Sequence, residues 1–202
     1  MEKIDKESAL IIVDVQNDFL PGGALPVPNG DEVIPILNKY IELFNKVGAP
    51  IFVTRDWHPP NHISFKTQGG IWPPHCIQNS KGAEFASNLK LPKNVIIISK
   101  AVNPNMEAYS GFEGTDLALK LKELGVKKVF IGGLATDYCV KNTVLDALKE
   151  GFKTFFLEDA SRGVNLKPED SENAVKEMVN RGALKVKISD LTCWGFNFWA
   201  QT

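Results

Sequence analysis

Six short apolar runs constrain the fold of this chain more than any other feature. Val95-Ile96-Ile97-Ile98 is typical, because its β-branched residues follow one another without polar alternation. Unbroken runs of this kind are characteristic of parallel strands that helices cover on both faces. The predicted strands are Ala9–Val15, Pro50–Asp56, Asn94–Lys100, Lys128–Leu134, Lys153–Asp159 and Leu184–Ser189.

Helical periodicity separates most of these runs. After the fourth run, Val140, Val144 and Leu148 repeat every four residues. Three further helices are bracketed by capping or terminating residues: Asp31 and Gly48, Thr115 and Gly125, and Pro168 and Gly182. The alternation predicts one α/β domain over residues 1–190, with three layers (α/β/α) and a six-stranded, mostly parallel sheet.

Length and charge exclude several classes of protein. The 202 residues can bury a full core, and a net charge of −1 gives no field that would attract nucleic acid or an acidic membrane. No apolar stretch approaches the length of about 18 residues that a membrane span requires, and the first residues are charged where a signal peptide is apolar. The three cysteines form no Cys-x-x-Cys pair. We therefore expect a soluble, cytoplasmic protein with no nucleic-acid or membrane partner.

Two connections are too long to be simple links between elements. Residues 57–82 and 101–114 show no clear periodicity, whereas compact domains usually connect their elements with a handful of residues. The first connection contains Trp57, Phe65 and Trp72, which is not the composition of a disordered segment. Its length therefore indicates a functional loop.

The same loop contains every histidine of the chain. His58, His62 and His75 lie within eighteen positions, and Asp56 precedes the first by two residues at the end of the second predicted strand. Three imidazoles and a carboxylate suit one divalent metal ion such as zinc, iron or manganese. The metal would also hold the irregular backbone in place. The alternative is three unrelated surface histidines.

Three polar or reactive residues follow or end other predicted strands. Asp14, Lys100 and Cys139 should lie close together, because the carboxyl ends of parallel strands meet at one edge of the sheet. Cys139 precedes a helix, whose N–H groups and dipole favour the nucleophilic thiolate. With no spare histidine, Asp14 is the candidate base, and Lys100 would offset the negative charge. The alternative is a structural ion pair between Asp14 and Lys100.

Five segments together carry a resemblance to a known family. They are Ile-Ile-Val-Asp-Val-Gln-Asn-Asp-Phe (11–19), Asp-Trp-His-x3-His (56–62), Trp-Pro-x-His-Cys (72–76), the lysine at 100 and Gly-Gly-Leu-Ala-Thr-Asp-Tyr-Cys-Val (132–140). From about Ala9 to Asp190 the chain resembles the nicotinamidases of the isochorismatase-like hydrolase superfamily. The last segment is typical of the superfamily, and the aspartate with three histidines is typical of nicotinamidases.

The resemblance implies roles for individual residues. The resemblance implies that Asp14, Lys100 and Cys139 form the catalytic triad. It also implies that the metal ligands are Asp56, His58, His62 and His75, with waters completing the coordination shell. A cis peptide at Leu134–Ala135 is implied, with an oxyanion hole from the N–H groups of Ala135 and Cys139. Phe19 and Trp72 are expected to sandwich a pyridine ring, and Tyr109 and Leu134 to line the same pocket. Leu134 departs from the family, which often has a smaller β-branched residue there.

The implied reaction is the hydrolysis of nicotinamide, and of pyrazinamide-like amides, to the acid and ammonia in NAD salvage. Asp14 would take the proton of Cys139, the thiolate would attack the amide, and water would hydrolyse the resulting thioester. The metal would orient the ring through its nitrogen or supply the hydrolytic water.

Three alternatives stay open. A metal-activated hydroxide could hydrolyse the amide while Cys139 is inert. A related amidohydrolase could act on a carbamoyl or ureido amide. The chain could also be a noncatalytic binding domain that a metal holds together.

The segment 191–202 follows the last predicted strand and carries no charged side chain. Its aromatic residues are Trp194, Phe196, Phe198 and Trp199. Each could bury about 150–250 Å². We expect this tail to pack on the domain or to contribute to the subunit interface of a homo-oligomer.

Overall fold

The computed structural model describes residues 2–193, and a parallel sheet of six strands forms its centre. Two further strands, β1 and β8, lie outside this sheet. In chain order the eight strands are β1 (Glu2–Ile4), β2 (Ser8–Val13), β3 (Ile51–Asp56), β4 (Ile96–Lys100), β5 (Lys128–Leu134), β6 (Lys153–Arg162), β7 (Leu184–Val186) and β8 (Leu191–Cys193). The helices are α1 (Val33–Val47), α2 (Leu117–Glu123), α3 (Lys141–Lys149) and α4 (Asp170–Asn180). The central sheet has the order β4-β3-β2-β5-β6-β7, and all its neighbouring strands are parallel. The predicted six-stranded α/β fold is therefore confirmed.

Side chains alternate between the two faces of the sheet, as strand geometry requires. In β2, Leu10 and Ile12 pack with the apolar face of α1, whereas Ala9, Ile11 and Val13 pack with α2, α3 and α4. Because both faces are covered, β2 is buried throughout. This double burial is the reason why the strand is an unbroken apolar run in the sequence.

A second, smaller sheet pairs β1 with β8 in parallel. The sequence did not predict it, because each strand has only three residues, too few to establish a periodicity. Its second strand takes up the first three residues of the predicted tail. Residues 194–202, with the four aromatic side chains, lie outside the described residues, so the packing of the tail stays a prediction. None of the described helices is long and apolar enough to cross a membrane.

The loop of residues 57–82 has a regular backbone arrangement of its own. The N–H of His58 donates to the carbonyl of Cys76 (3.0 Å), and the N–H of Gln78 donates to the carbonyl of His58 (2.8 Å). Phe65, which belongs to the loop, is fully buried. Hydrogen bonds and apolar burial therefore order much of this segment, a contribution that the sequence interpretation assigned to the metal alone.

The order of strands places the candidate site. The chain builds β2, β3 and β4 outward in one direction and then returns to add β5 on the other side of β2. Open α/β sheets bind ligands at the carboxyl ends of strands on either side of such a reversal. Residues that end β3, β4 and β5, or directly follow β2, meet at this position.

Candidate active site

Lys100 connects the two groups of predicted functional residues. It ends β4, its side chain is buried, and Nζ lies 3.0 Å from Oδ2 of Asp14 and 3.4 Å from Sγ of Cys139. The same Nζ donates to Oδ1 of Asp56 at 2.5 Å and to the carbonyl of Ala108 at 3.2 Å. The structure thus brings together the three residues predicted at the strand ends and adds Asp56 to them.

Asp14 follows β2 in a left-handed conformation (φ 49°), which aspartate tolerates better than most residues. Its Oδ1 accepts a hydrogen bond of 2.6 Å from the Thr54 hydroxyl. Its Oδ2 is buried and has no hydrogen-bond partner within residues 2–193, since the contact with Lys100 is an ion pair. Burial raises the pKa of Asp14 to about 6, although the charge of Lys100 opposes this shift. Asp14 can therefore exchange a proton near neutral pH.

Cys139 lies in a π turn, Thr136–Val140, between β5 and α3. Its Sγ, one carboxylate oxygen of Asp14 and one of Asp56 lie within 4.8 Å of one another. Burial raises the pKa of the Cys139 thiol well above its ordinary value, and both carboxylates add to this while Lys100 opposes it. The resting group is therefore a thiol, consistent with the predicted need for a base, and burial opposes the stabilisation of the thiolate that was expected from the following helix. A base has to remove its proton before it can attack.

Lys100 and Asp56, which both lie close to Cys139, shift each other's pKa toward the charged form. Burial alone would lower the pKa of Lys100, but Asp14 and Asp56 outweigh it and raise that pKa well above its usual value. Burial would likewise raise the pKa of Asp56, but Lys100 and the nearby histidines leave it below its ordinary value. The structure therefore contains a buried ammonium beside two carboxylates, one with a lowered pKa (Asp56) and one with a raised pKa (Asp14).

The turn between β5 and Cys139 contains a cis peptide bond, Leu134–Ala135. Ala135 lines the cavity next to Cys139. The Leu134 side chain is fully buried in the core on the α1 side and does not line this cavity. This placement corrects the expectation that the Leu134 side chain contacts substrate.

Asp56, His58 and His75 form a set that fits a divalent metal ion. All three are buried, and their ligand atoms lie within 4.8 Å of one another. Nδ1 of His58 lies 3.1 Å from the carbonyl of His75, and Nδ1 of His75 lies 2.8 Å from the carbonyl of Pro73. These contacts leave Nε2 of each ring for a metal, with the second nitrogen held by a carbonyl as in known metal sites. Burial lowers the pKa of His58 to about 4, so the ring is neutral, as metal binding requires.

His62 lies beside this set in a different environment. Its ring centroid is 4.4 Å from that of His58, and the pair forms a second group with Glu107 whose ligand atoms lie within 4.8 Å of one another. Both nitrogens of His62 already have protein neighbours, Nδ1 with the Ser64 hydroxyl (2.7 Å) and Nε2 with the Met106 carbonyl (3.1 Å). His62 is therefore adjacent to the other three predicted ligands, and its role as a ligand stays a prediction.

A small cavity opens onto both groups of residues. Phe19, Trp72 and Tyr109, which the resemblance assigned to the pocket, all line it. The indole N–H of Trp72 donates to the hydroxyl of Tyr109 (3.0 Å), and the Phe19 ring lies 5.4 Å from that of His75. The cavity thus has an aromatic wall beside a metal-binding set and a thiol.

Several residues that line the cavity were not predicted. Tyr138 packs edge-on against Trp72 with ring centroids 5.1 Å apart, and Glu107 and Val164 also reach the cavity. The position of Tyr138 beside Cys139 was a usable signal, and so was the isolated acid at 107 in a long loop. Val164 follows β6 and carries no such signal.

Comparison with known proteins shows similarity over nearly the whole chain. The isochorismatase domain family matches residues 8–189. A nicotinamidase of Escherichia coli (strain K12) is 39% identical over 203 residues, covering 90% of this chain and 95% of the relative. The pyrazinamidase of Pyrococcus horikoshii in complex with zinc has a TM-score of 0.87 and 58% identity, covering 90% of this chain and 99% of that chain. PnC1 from L. infantum in complex with nicotinate has a TM-score of 0.88 and 35% identity, covering 95% of this chain and 98% of that chain.

Proposed function

Because the chain belongs to the isochorismatase domain family, we propose that it is a nicotinamidase that hydrolyses nicotinamide, and pyrazinamide-like amides, to the acid and ammonia. The observation that carries this proposal is the position of Asp56, which contacts Lys100 in one group and belongs with the histidines in the other. A thiol and a metal-binding set therefore open onto one aromatic cavity, and a titratable carboxylate, Asp14, lies buried behind the thiol. The nicotinamidase and pyrazinamidase among its relatives support the substrate class. We place the reaction in NAD salvage in the cytoplasm.

The first chemical step is attack by Cys139 on the amide carbon. Asp14, which has a carboxylate oxygen within 4.8 Å of Sγ and a pKa of about 6, accepts the thiol proton. The N–H groups of Ala135 and Cys139 are proposed to hold the developing oxyanion, and such donors contribute about 3–4 kcal/mol each in well-studied hydrolases. Lys100 stays protonated and offsets the negative charge that passes from Asp14 to sulfur and oxygen.

The second step is the loss of ammonia. Asp14 returns its proton to the amide nitrogen, the C–N bond breaks, and an acyl thioester of Cys139 remains. Water then attacks the thioester, with Asp14 again accepting a proton. The acid leaves, and that proton returns to the thiol.

Asp56, His58 and His75 are the residues that would hold the metal, with His62 beside them. Zinc is favoured by the nitrogen and oxygen donors and by the zinc complex of the P. horikoshii relative, and iron and manganese are the alternatives. When bound, the ion supplies a Lewis acid that can fix the ring nitrogen of a pyridine carboxamide.

The aromatic residues of the cavity would position the ring. Phe19 and Trp72 present apolar surface to a flat heterocycle, and Tyr109 and Tyr138 complete the wall. Hydrogen bonding between Trp72 and Tyr109 fixes the indole plane before the substrate binds. This preformed slot fits a planar aromatic amide better than a flexible ureido substrate.

The test is ammonia release from nicotinamide by the metal-loaded protein, with and without a chelator. We expect release that chelation abolishes, and much less from benzamide, which lacks the ring nitrogen. Faster release from a ureido amide than from nicotinamide would refute the proposed substrate. Alkylation of Cys139 separates the mechanisms: loss of activity with retained metal supports the thiol, and unaffected activity supports a metal-activated hydroxide.

A further inference from the structure

Gln16 lies outside the cavity but holds a residue that both groups of the site share. It follows β2 by three positions and is completely buried. Its side-chain Oε1 accepts a hydrogen bond from the N–H of Asp56 (2.8 Å), and its Nε2 donates to the carbonyl of the same residue (2.8 Å). One amide therefore binds both backbone groups of Asp56.

Gln16 binds the backbone of Asp56 because the chain after β2 no longer runs alongside β3. The last backbone hydrogen bond from this segment to β3 runs from the N–H of Asp14 to the carbonyl of Thr54 (3.2 Å). Beyond it, the N–H of Gln16 turns back to the carbonyl of Asp14 (2.9 Å), so the backbone no longer pairs with β3. In a parallel ladder, alternate residues pair with the same neighbouring strand, so Asp56 is the next residue that β2 would have paired. The Gln16 amide takes the place of the missing strand.

The second proton of the Gln16 amide fixes another segment. Nε2 also donates to the carbonyl of Ala83 (3.0 Å), in the short helical turn that ends the long loop. All the polar atoms of the side chain are thus used, as a fully buried amide requires. On its opposite edge β3 is fixed by β4, where the N–H of Trp57 donates to the carbonyl of Lys100 (3.1 Å).

We propose that Gln16 is a positioning residue that sets the orientation of the Asp56 carboxylate toward the metal. Oδ1 of Asp56 is 2.5 Å from Nζ of Lys100, while Oδ2 is 3.9 Å from Nε2 of His75. The two oxygens of Asp56 can face Lys100 and His75 at the same time only if the backbone of Asp56 is held in place. The inference rests on the proposed metal site and extends it to a residue that contacts neither metal nor substrate.

The test compares the zinc affinity of the wild-type protein with that of Gln16→Glu, measured by competition with a chromophoric chelator. Glutamate has the same shape but places oxygen against the carbonyls of Asp56 and Ala83. We expect zinc to bind roughly 10- to 100-fold more weakly, as for other residues that orient metal ligands, and the visible spectrum of the cobalt-substituted protein to change. Gln16→Met, which has similar length and no amide, gives a second reading if the glutamate variant does not fold.

Asn38→Asp is the matched control. Both ends of the Asn38 amide also bind backbone, donating to the carbonyl of Asn88 (3.0 Å) and accepting from the N–H of Lys90 (2.8 Å), but Asn38 is only half-buried and lies on α1. The zinc affinity and the cobalt spectrum of the Asn38→Asp protein should match those of the wild type. Folded Gln16 variants with wild-type zinc affinity would overturn the inference while leaving the metal site intact. A wild-type protein that binds neither zinc nor cobalt would overturn the metal site, and this inference with it.

Discussion

Replacing Thr54 with valine should move the pH dependence of catalysis without touching any reacting group. The Thr54 hydroxyl donates a hydrogen bond of 2.6 Å to Oδ1 of Asp14, and both side chains are fully buried. Valine keeps the shape of threonine but cannot donate. The ionised form of Asp14 therefore loses a hydrogen bond that no water can replace.

The expected shift follows from the value of that bond. A hydrogen bond to a charged group contributes about 1.5–3 kcal/mol. Since one pKa unit corresponds to about 1.4 kcal/mol, its loss raises the pKa of Asp14 by about 1–2 units. From the wild-type value of about 6, the variant would titrate near pH 7–8.

The sign follows from the proposed role of Asp14 as a base. Only the ionised carboxylate can accept the Cys139 proton, so kcat/KM rises with pH through the pKa of Asp14. At pH 6 half of the wild-type carboxylate is ionised, against about 1–10% in Thr54→Val, so kcat/KM should be about 5- to 50-fold lower. The two proteins should converge by pH 9.

The assay is kcat/KM for ammonia release from nicotinamide between pH 5 and 9, with metal content measured at each pH. Thr154→Val is the control, because Thr154 is also buried and donates to a backbone carbonyl, that of Phe152 (2.9 Å), far from the cavity. Thr154→Val should lower the stability of the protein without shifting the pH dependence of kcat/KM. An unchanged acid limb in Thr54→Val would show that Asp14 is not the base that this limb reports.

Three further predictions concern the nucleophile, the loop and the aromatic wall. Cys139→Ala should abolish turnover and leave zinc content unchanged, and more than trace activity would show that sulfur is not the nucleophile. Removing the metal should increase backbone hydrogen exchange at residues 58–62 and 73–77 but not in β2, and equal protection in both states would contradict a metal at the histidines. Trp72→Leu should raise KM for nicotinamide roughly 2- to 12-fold, the equivalent of one aromatic contact, with little change in kcat. A wild-type KM would show that the indole does not contact the ring.

The fold could be predicted because buried parallel strands leave a direct trace in sequence. The predicted bounds of β5, Lys128–Leu134, agree with the structure, since an unbroken apolar run begins directly after Lys128. In contrast β6 continues three residues beyond the predicted end at Asp159, because it passes an irregularity in the ladder and pairs again through Ser161 and Arg162. That pairing depends on the neighbouring strand and is not visible in the composition of β6.

Part of the site could be predicted for the same geometric reason. Asp14, Lys100 and Cys139 meet because the ends of parallel strands converge, and this needs only the strand assignments. The positions of Glu107 and Gln16 depend on loops and on one side-chain contact across 40 residues, which no periodicity encodes. The raised pKa of the Cys139 thiol could not be predicted, because its main cause is burial, which the sequence does not quantify.

The sharing of Asp56 has a consequence for how the effects of substitutions combine. Its carboxylate contacts Lys100 through one oxygen and lies toward His75 with the other, so a change on either side alters what the opposite side binds. Residues in such a network are energetically coupled, and the losses from single substitutions do not add. If Lys100 and His75 were replaced one at a time, the free energy of the contacts that depend on Asp56 would therefore be counted in both results. Selection acting on one of the two positions would also change which residues the other can accept.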